Sequence, residues 1–265
     1  VQKIIAFTGC SYTAGHGWQE DRSLACPDHP SLWCNIVADT LGYQTINYGQ
    51  GGGSNRDIFR NTVDVLTNYQ VDTVIVQWTS MPRYSFELGI EQWPTVETLQ
   101  NRDRTNDVGV SGLVLPRQQI NQIIDNFLAL HHLHYEICDL IVMLRCLIKL
   151  ADRLRTKIFY VNGLCPWDNH YFEYENQETR QPKDLTKFTK TAILNTETRT
   201  DRDIFLLYDR IHDNYTRLGT IQSHNWINLY TSFRSLQKDT NLDHQHPGTQ
   251  SNIEYANTVL RHFQN

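Results

Sequence analysis

The stretch Lys3-Ile4-Ile5-Ala6-Phe7-Thr8-Gly9-Cys10-Ser11-Tyr12-Thr13 decides the fold. Its short apolar run stops at Thr8-Gly9, which predicts a buried strand feeding a tight turn. Ser11 then stands at the carboxyl end of that strand, where open parallel sheets bind their ligands. A serine after a glycine turn is also common as a plain turn or helix-cap residue, so the stretch alone leaves its role open. Cys10 competes as a nucleophile on chemistry, but alternation sends its side chain to the opposite face, where it packs.

Working outward, Leu32, Trp33, Ile36, Val37 and Leu41 recur at helical spacing, and Gly42 supplies a stop. A second strand is predicted over 45–48, followed by Gly49, Gly51, Gly52 and Gly53. Ser54 or Asn55 then caps a helix carrying Ile58, Val63, Val65 and Leu66. A third strand over 71–76 leads into Gln77-Trp78-Thr79-Ser80. A long amphipathic helical region, broken near His131, spans 118–155, and a fourth strand spans 157–162. A fifth strand is expected over 225–229 and a terminal helix over 251–263, with Ile253, Ala256, Val259 and Leu260 as its apolar stripe. Residues 84–116 and 165–220 read as polar insertions, the first of them irregular. Strands alternating with helices predict an α/β fold with a mostly parallel five-stranded sheet covered on both faces, in one domain over 1–265.

Composition narrows the function. With 24 Lys+Arg against 29 Asp+Glu, the chain lacks the basic excess of a nucleic-acid binder. No run reaches the roughly 18 consecutive apolar residues of a membrane span. The most apolar region, 137–150, is broken by Asp139, Arg145 and Lys149 and reads as a buried helix. No signal-peptide pattern opens the sequence, so a cytoplasmic protein is expected. The six cysteines form no CxxC pair, which predicts reduced thiols, with Cys138 and Cys146 in the core.

Two further segments carry chemistry. Asn47-Tyr48-Gly49-Gln50-Gly51-Gly52-Gly53-Ser54-Asn55 is dense in glycine. Glycines at such density suit either a flexible turn or close approach of free N–H groups to a developing negative charge. A dinucleotide fingerprint fits poorly, because its last glycine is missing. Asp243-His244-Gln245-His246-Pro247-Gly248 places a carboxylate and an imidazole three residues apart. That spacing lets Asp243 bind His246 Nδ1 and turn Nε2 outward as a base. His244 and His246 alternatively suit a metal, but no carboxylate or thiolate cluster completes a ligand set, so neither metal nor cofactor is expected.

In sequence order these segments resemble the blocks of the SGNH (GDSL-like) hydrolase superfamily. The resemblance implies a flavodoxin-like three-layer α/β/α sandwich and a Ser-His-Asp triad that cleaves esters. Its Gly-Asp-Ser-x-Ser block is similar to Gly9-Cys10-Ser11-Tyr12-Thr13, implying Ser11 as nucleophile. Its Asn-x-Gly-x-x-Gly block matches Asn47, Gly49 and Gly52, implying the Gly52 and Ser11 N–H groups as oxyanion donors. Its Asp-x-x-His block matches Asp243 and His246. The likeness covers about 1–80 and 225–265. Cys10 replaces the family's first-block aspartate. The third block, Gly-x-Asn-Asp, has no counterpart in Gln77-Trp78-Thr79-Ser80, so Asn55, Thr79 or Ser80 is expected to donate in its place.

The substrate expected is a short-chain acyl ester. Trp78, Arg83, Tyr84, Trp93, Trp167, His170 and Tyr171 mix aromatic and hydrogen-bonding groups and suit a sugar, which points to a carbohydrate O-acetylesterase with Arg83 among its substrate contacts. A non-catalytic glycan-binding or structural module on the same fold, and a sugar O-acyltransferase, stay open as alternatives. His131, His132 and His134 read as a solvated or interface face. Neither nucleic acid nor membrane is an expected partner, and the oligomeric state is left open.

Overall fold

β1 (Ile4–Gly9) is buried from Ile5 to Gly9, as a near-continuous apolar strand covered on both faces must be. These positions come from a computed structural model, which describes residues 2–19, 24–79, 108–110, 113–115, 122, 133–164, 226–227, 232–243 and 246–263. A four-residue helix α1 (Ser11–Ala14) follows β1 directly, then α2 (Trp33–Leu41), β2 (Gln44–Gly49), α3 (Asn55–Asn68) and β3 (Thr73–Trp78). A hairpin of β4 (Val108–Val110) and β5 (Leu113–Leu115) precedes α4 (Leu133–Leu154), β6 (Lys157–Asn162) and the final α5 (Thr249–Phe263).

The main sheet is parallel, in the order β2-β1-β3-β6. The chain steps from β1 to β2 in one direction and from β2 to β3 across β1 in the other. Right-handed crossovers therefore place α2 and α3 on opposite faces, giving the α/β/α layering. Packing agrees, since α2 lies against α5 whereas α3 lies against α4. The reversal leaves a crevice above the carboxyl end of β1, the topological switch point of the sheet.

Of the strand expected over 225–229, only Trp226 and Ile227 fall among the described residues. Two isolated parallel bridges, Tyr160 with Trp226 and Asn162 with Ser232, stand at the β6 edge, beside a ladder that has four strands among the described residues. Trp226 and Ile227 are buried there, and the Ile227 N–H donates to the Tyr160 carbonyl at 2.8 Å. The segment expected to be wholly irregular over 84–116 contains the antiparallel β4–β5 hairpin, whose three-residue strands are too short to show a period.

Helix ends follow local chemistry. Ser54, rather than Asn55, caps α3 in a reciprocal capping box: its Oγ accepts from the Asp57 N–H at 3.3 Å, and Asp57 Oδ2 accepts from the Ser54 N–H at 2.8 Å. Two core assignments change. Cys146 is exposed, because α4 buries only one face through Leu140, Leu144, Leu147 and Ala151 and leaves Val142 at 59% exposure. On α5, Ile253 is 38% exposed, whereas Tyr255 and the polar Ser251 and Asn252 are fully buried. Ser251 and Asn252 are satisfied there by hydrogen bonds, something a stripe of apolar letters does not register. Among the described residues, no helix is long and apolar enough to cross a membrane.

Candidate active site

The turn after β1 is built by three contacts that hold Ser11 still. Cys10 is the N-cap of α1, and its carbonyl accepts from the Thr13 and Ala14 N–H groups at 2.9 and 3.0 Å. Asn47, at the end of β2, donates from Nδ2 to the Thr13 carbonyl at 2.7 Å and accepts from the Gly49 N–H at 2.9 Å. Beneath them lies Gln77 of β3, fully buried, whose Oε1 accepts from Thr13 Oγ1 at 2.5 Å and whose Nε2 donates to Cys10 Sγ at 3.3 Å. Cys10 thus faces the core, as alternation predicts. Ser11 is buried to 6% exposure, and as the first residue of α1 its N–H has no intrahelical acceptor.

Gly49 lets β2 meet this turn. A Cβ there would fall 2.6 Å from the Thr13 carbonyl carbon and 2.7 Å from Ala14 Cα. The next turn is closed by the Gly53 N–H on the Gln50 carbonyl at 3.2 Å, with Gly52 at φ 70°, a conformation that favours glycine. Asn55 opens α3 and its Oδ1 accepts from the Thr79 N–H at 2.9 Å. Because β1 lies between β2 and β3, this bond arches over the carboxyl end of β1, where Ser11 begins α1. Thr79 is fully buried and meets Asn55 through its backbone.

The acid–base loop is pinched at its base. Thr240 and Pro247 form an antiparallel bridge, the Asn241 N–H donates to the His246 carbonyl at 2.8 Å, and the Gly248 N–H donates to the Asp239 carbonyl at 3.1 Å. Asp239 anchors the start of α5, accepting from the Gln250 and Ser251 N–H groups at 3.0 and 2.8 Å and from Ser251 Oγ. Burial alone pushes the Asp239 carboxyl up. The hydrogen bonds from Ser251 and Gln250 outweigh it and hold the group below its ordinary value. Within this loop Asp243 Oδ1 accepts from the His246 N–H at 2.9 Å, and a second, very short hydrogen bond joins Asp243 Oδ2 to His246 Nδ1. Asp243 is 5% exposed, and Gly17 gives it room, since a Cβ at Gly17 would lie 3.0 Å from its carboxylate.

The imidazole so oriented faces the Ser11 helix. The His246 ring stands 6.1 Å from that of Tyr12, edge to face, and 5.7 Å from that of His16. Tyr12 is backed by Tyr255, which stacks on Phe233 at 4.3 Å, so the site rests on an aromatic wall. Among the described residues Ser11 Oγ makes no hydrogen bond, and its link to His246 is open. Hydroxyl–imidazole bonds commonly tighten only when substrate is bound.

Of the expected site residues, the structure joins Asn55 to Thr79 and Asp243 to His246, and stands the His246 ring beside Tyr12, next to Ser11 in α1; Gly52 lies in the turn after β2. Ser80, Arg83, His244 and the residues expected to line a sugar site, Tyr84, Trp93, Trp167, His170 and Tyr171, lie outside the described residues. Trp78 is corrected: it is fully buried with its ring 6.0 Å from Tyr160, and so belongs to the core. Two residues were missed. Gln77 had a signal, a polar side chain ending a buried apolar strand, which is informative because such groups need partners. His16 had none beyond its nearness to Ser11. Among the described residues no group of three His, Cys, Asp or Glu side chains is placed to hold a metal.

Three segments matching SGNH blocks therefore sit at the carboxyl ends of β1 and β2 and in the loop before α5, on a parallel sheet with a switch point at β1. The fold is a parallel sheet layered between helices. No family model and no curated protein matches the chain. Solved structures similar to it include a carbohydrate acetylesterase family member from Sinorhizobium meliloti, at 11% identity and TM-score 0.44, with 98% of each chain covered. A member of the lipolytic G-D-S-L family from Veillonella parvula is similar at 16% identity and TM-score 0.42, over 100% of both chains. A carbohydrate esterase family 2 enzyme with a carbohydrate binding domain, from Corynascus thermopiles (Myceliophthora fergusii), is similar at 11% identity and TM-score 0.48, and this chain spans 65% of its length. Likeness this distant assigns no activity.

Proposed function

We propose that this protein is a serine ester hydrolase with Ser11 as nucleophile, His246 as general base and acid, and Asp243 as the carboxylate that orients it. The observation that carries this reading is the buried Asp243 bonded to both the N–H and Nδ1 of His246, with the ring turned to the helix that Ser11 opens. Held in that way, His246 presents Nε2 as the acceptor for the serine proton. Ser11 Oγ attacks the ester carbonyl while His246 takes its proton, and the Ser11 and Gly52 N–H groups receive the oxyanion. The proton then passes to the departing alkoxide, and water repeats the sequence on the acyl-enzyme.

Asn55 is the third oxyanion donor in this reading, standing in for the absent third-block asparagine. Its Oδ1 is committed to the Thr79 N–H over the end of β1, which fixes its amide so that the NH2 end donates. The substrate class proposed is a short acyl ester of a carbohydrate, and that is the first class to assay. The test is hydrolysis of 4-nitrophenyl acetate together with labelling by a fluorophosphonate. Wild type is expected to turn over and to be labelled on Ser11, and Ser11→Ala to do neither. Unchanged turnover by Ser11→Ala overturns the assignment, and so does a folded wild type that is neither active nor labelled, which leaves the binding-module alternative.

A further inference from the structure

α1 ends at Gly15, whose φ is 77°, and both the Gly15 and His16 N–H groups return to the Ser11 carbonyl, at 3.1 and 3.2 Å. This reversal swings His16 back over the helix that carries the nucleophile. Its half-buried ring lies between two parts of the site. On one side it rests on the glycine loop: a Cβ at Gly51 would sit 2.5 Å from His16 Cε1 and 3.1 Å from Cδ2, and nearer still to Nε2. On the other side its centroid is 5.7 Å from the His246 ring, with the planes tilted by 34°. Gly51 itself is exposed, so this stretch of wall stands at the open rim of the crevice.

We infer that His16 is a substrate-binding residue that hydrogen-bonds a hydroxyl on the alcohol half of the ester. The inference rests on the serine-hydrolase reading above. In that chemistry the leaving oxygen departs toward the imidazole that protonates it, and the carbonyl oxygen lies toward the Gly51–Gly52 loop. A ring touching both neighbourhoods lies beside the carbon that bears the leaving oxygen. A hydroxyl on the adjacent carbon, as in any monoester of a vicinal diol, comes within reach of an imidazole that donates or accepts. Partly acylated sugars carry this arrangement; simple alkyl and aryl esters do not.

The experiment uses a matched pair of esters, 2-hydroxyethyl acetate and ethyl acetate, which differ at the carbon in question only by the hydroxyl. One hydrogen bond predicts a preference of roughly 2- to 10-fold in kcat/KM for the hydroxylated ester in wild type. His16→Phe is expected to bring that ratio to about one. His16→Ala, which makes no demand for space against Gly51, is expected to do the same, so a misfolded Phe variant does not decide the matter. A purely structural role would lower both esters in proportion and leave the ratio alone. A ratio that persists in His16→Ala, or one near unity already in wild type, overturns the inference. Ser11→Ala separates the two readings: Ser11-dependent hydrolysis with an unmoved ratio removes only the role of His16, whereas Ser11-independent hydrolysis removes the triad and this inference with it.

Discussion

Gly49→Ala tests whether the second block is a packing device for the nucleophile. Gly49 lies outside the left-handed region, so the substitution costs no backbone strain and acts through space alone. The added methyl would lie 2.6 Å from the Thr13 carbonyl carbon and 2.7 Å from Ala14 Cα, whereas carbon atoms rest at about 3.5–4.0 Å. The atoms met are backbone, with no rotamer to swing away, so α1 and β2 must separate by about 1 Å. Overpacking of this kind costs roughly 1–3 kcal/mol. The same displacement moves the start of α1, and a misplacement near 1 Å can cost about 10²-fold in rate. It also stretches the 2.7 Å bond from Asn47 to the Thr13 carbonyl, which is what holds the helix to β2. The assay pairs urea unfolding with the second-order rate of fluorophosphonate labelling at Ser11, measured where the variant is fully folded. A loss of about 1–3 kcal/mol with labelling slowed by an order of magnitude or more is expected. Wild-type labelling in a variant that is destabilised to that degree would refute the claim that Gly49 positions the nucleophile.

Two further perturbations probe the supports of the site. Gln77→Leu leaves Thr13 Oγ1 without its buried acceptor and is expected to cost about 1–3 kcal/mol in urea unfolding, with slower labelling of Ser11; an unchanged unfolding midpoint counts against the network beneath the turn. Asp239→Asn weakens the cap of α5, and a loss of about 0.5–2 kcal/mol at neutral pH is expected. Because hydrogen bonds hold the folded-state carboxyl of Asp239 below its unfolded value, its contribution is complete above the unfolded value, near pH 4, and fades as pH falls through the folded one. The gap between wild type and Asp239→Asn in urea midpoints should therefore be widest near neutrality and close in acid; a gap independent of pH contradicts the capping role.

Much of the fold was legible because its signals are local. The apolar runs at 4–7 and 71–76, the stop at Gly42 and the cap at Ser54 or Asn55 each encode an element through neighbours in sequence. The Asp243/His246 pair was equally legible, since three residues on one turn suffice to join a carboxylate to an imidazole. Pairing at the β6 edge was less legible for the complementary reason. Burial of Trp226 and Ile227 comes from the β6 edge, and sheet pairing depends on a partner far away in sequence. Ile253 was placed in the buried stripe but is exposed, because the face that α5 buries is chosen by α2 and by the hydrogen bonds of Ser251 and Asn252.

The sequence by itself determined the strand–turn–helix units, the glycine loop and the acid–base pair, all of which depend on backbone preference and short spacing. Only the tertiary structure decided what surrounds Ser11. The order β2-β1-β3 draws Asn55 across β1 to Thr79, brings Gln77 beneath the turn, and seats His16 between Gly51 and His246. Those contacts join residues tens to hundreds of positions apart, and no local pattern encodes them. They exist because a parallel sheet gathers the carboxyl ends of its strands at one edge, and a reversal of strand order opens a crevice there.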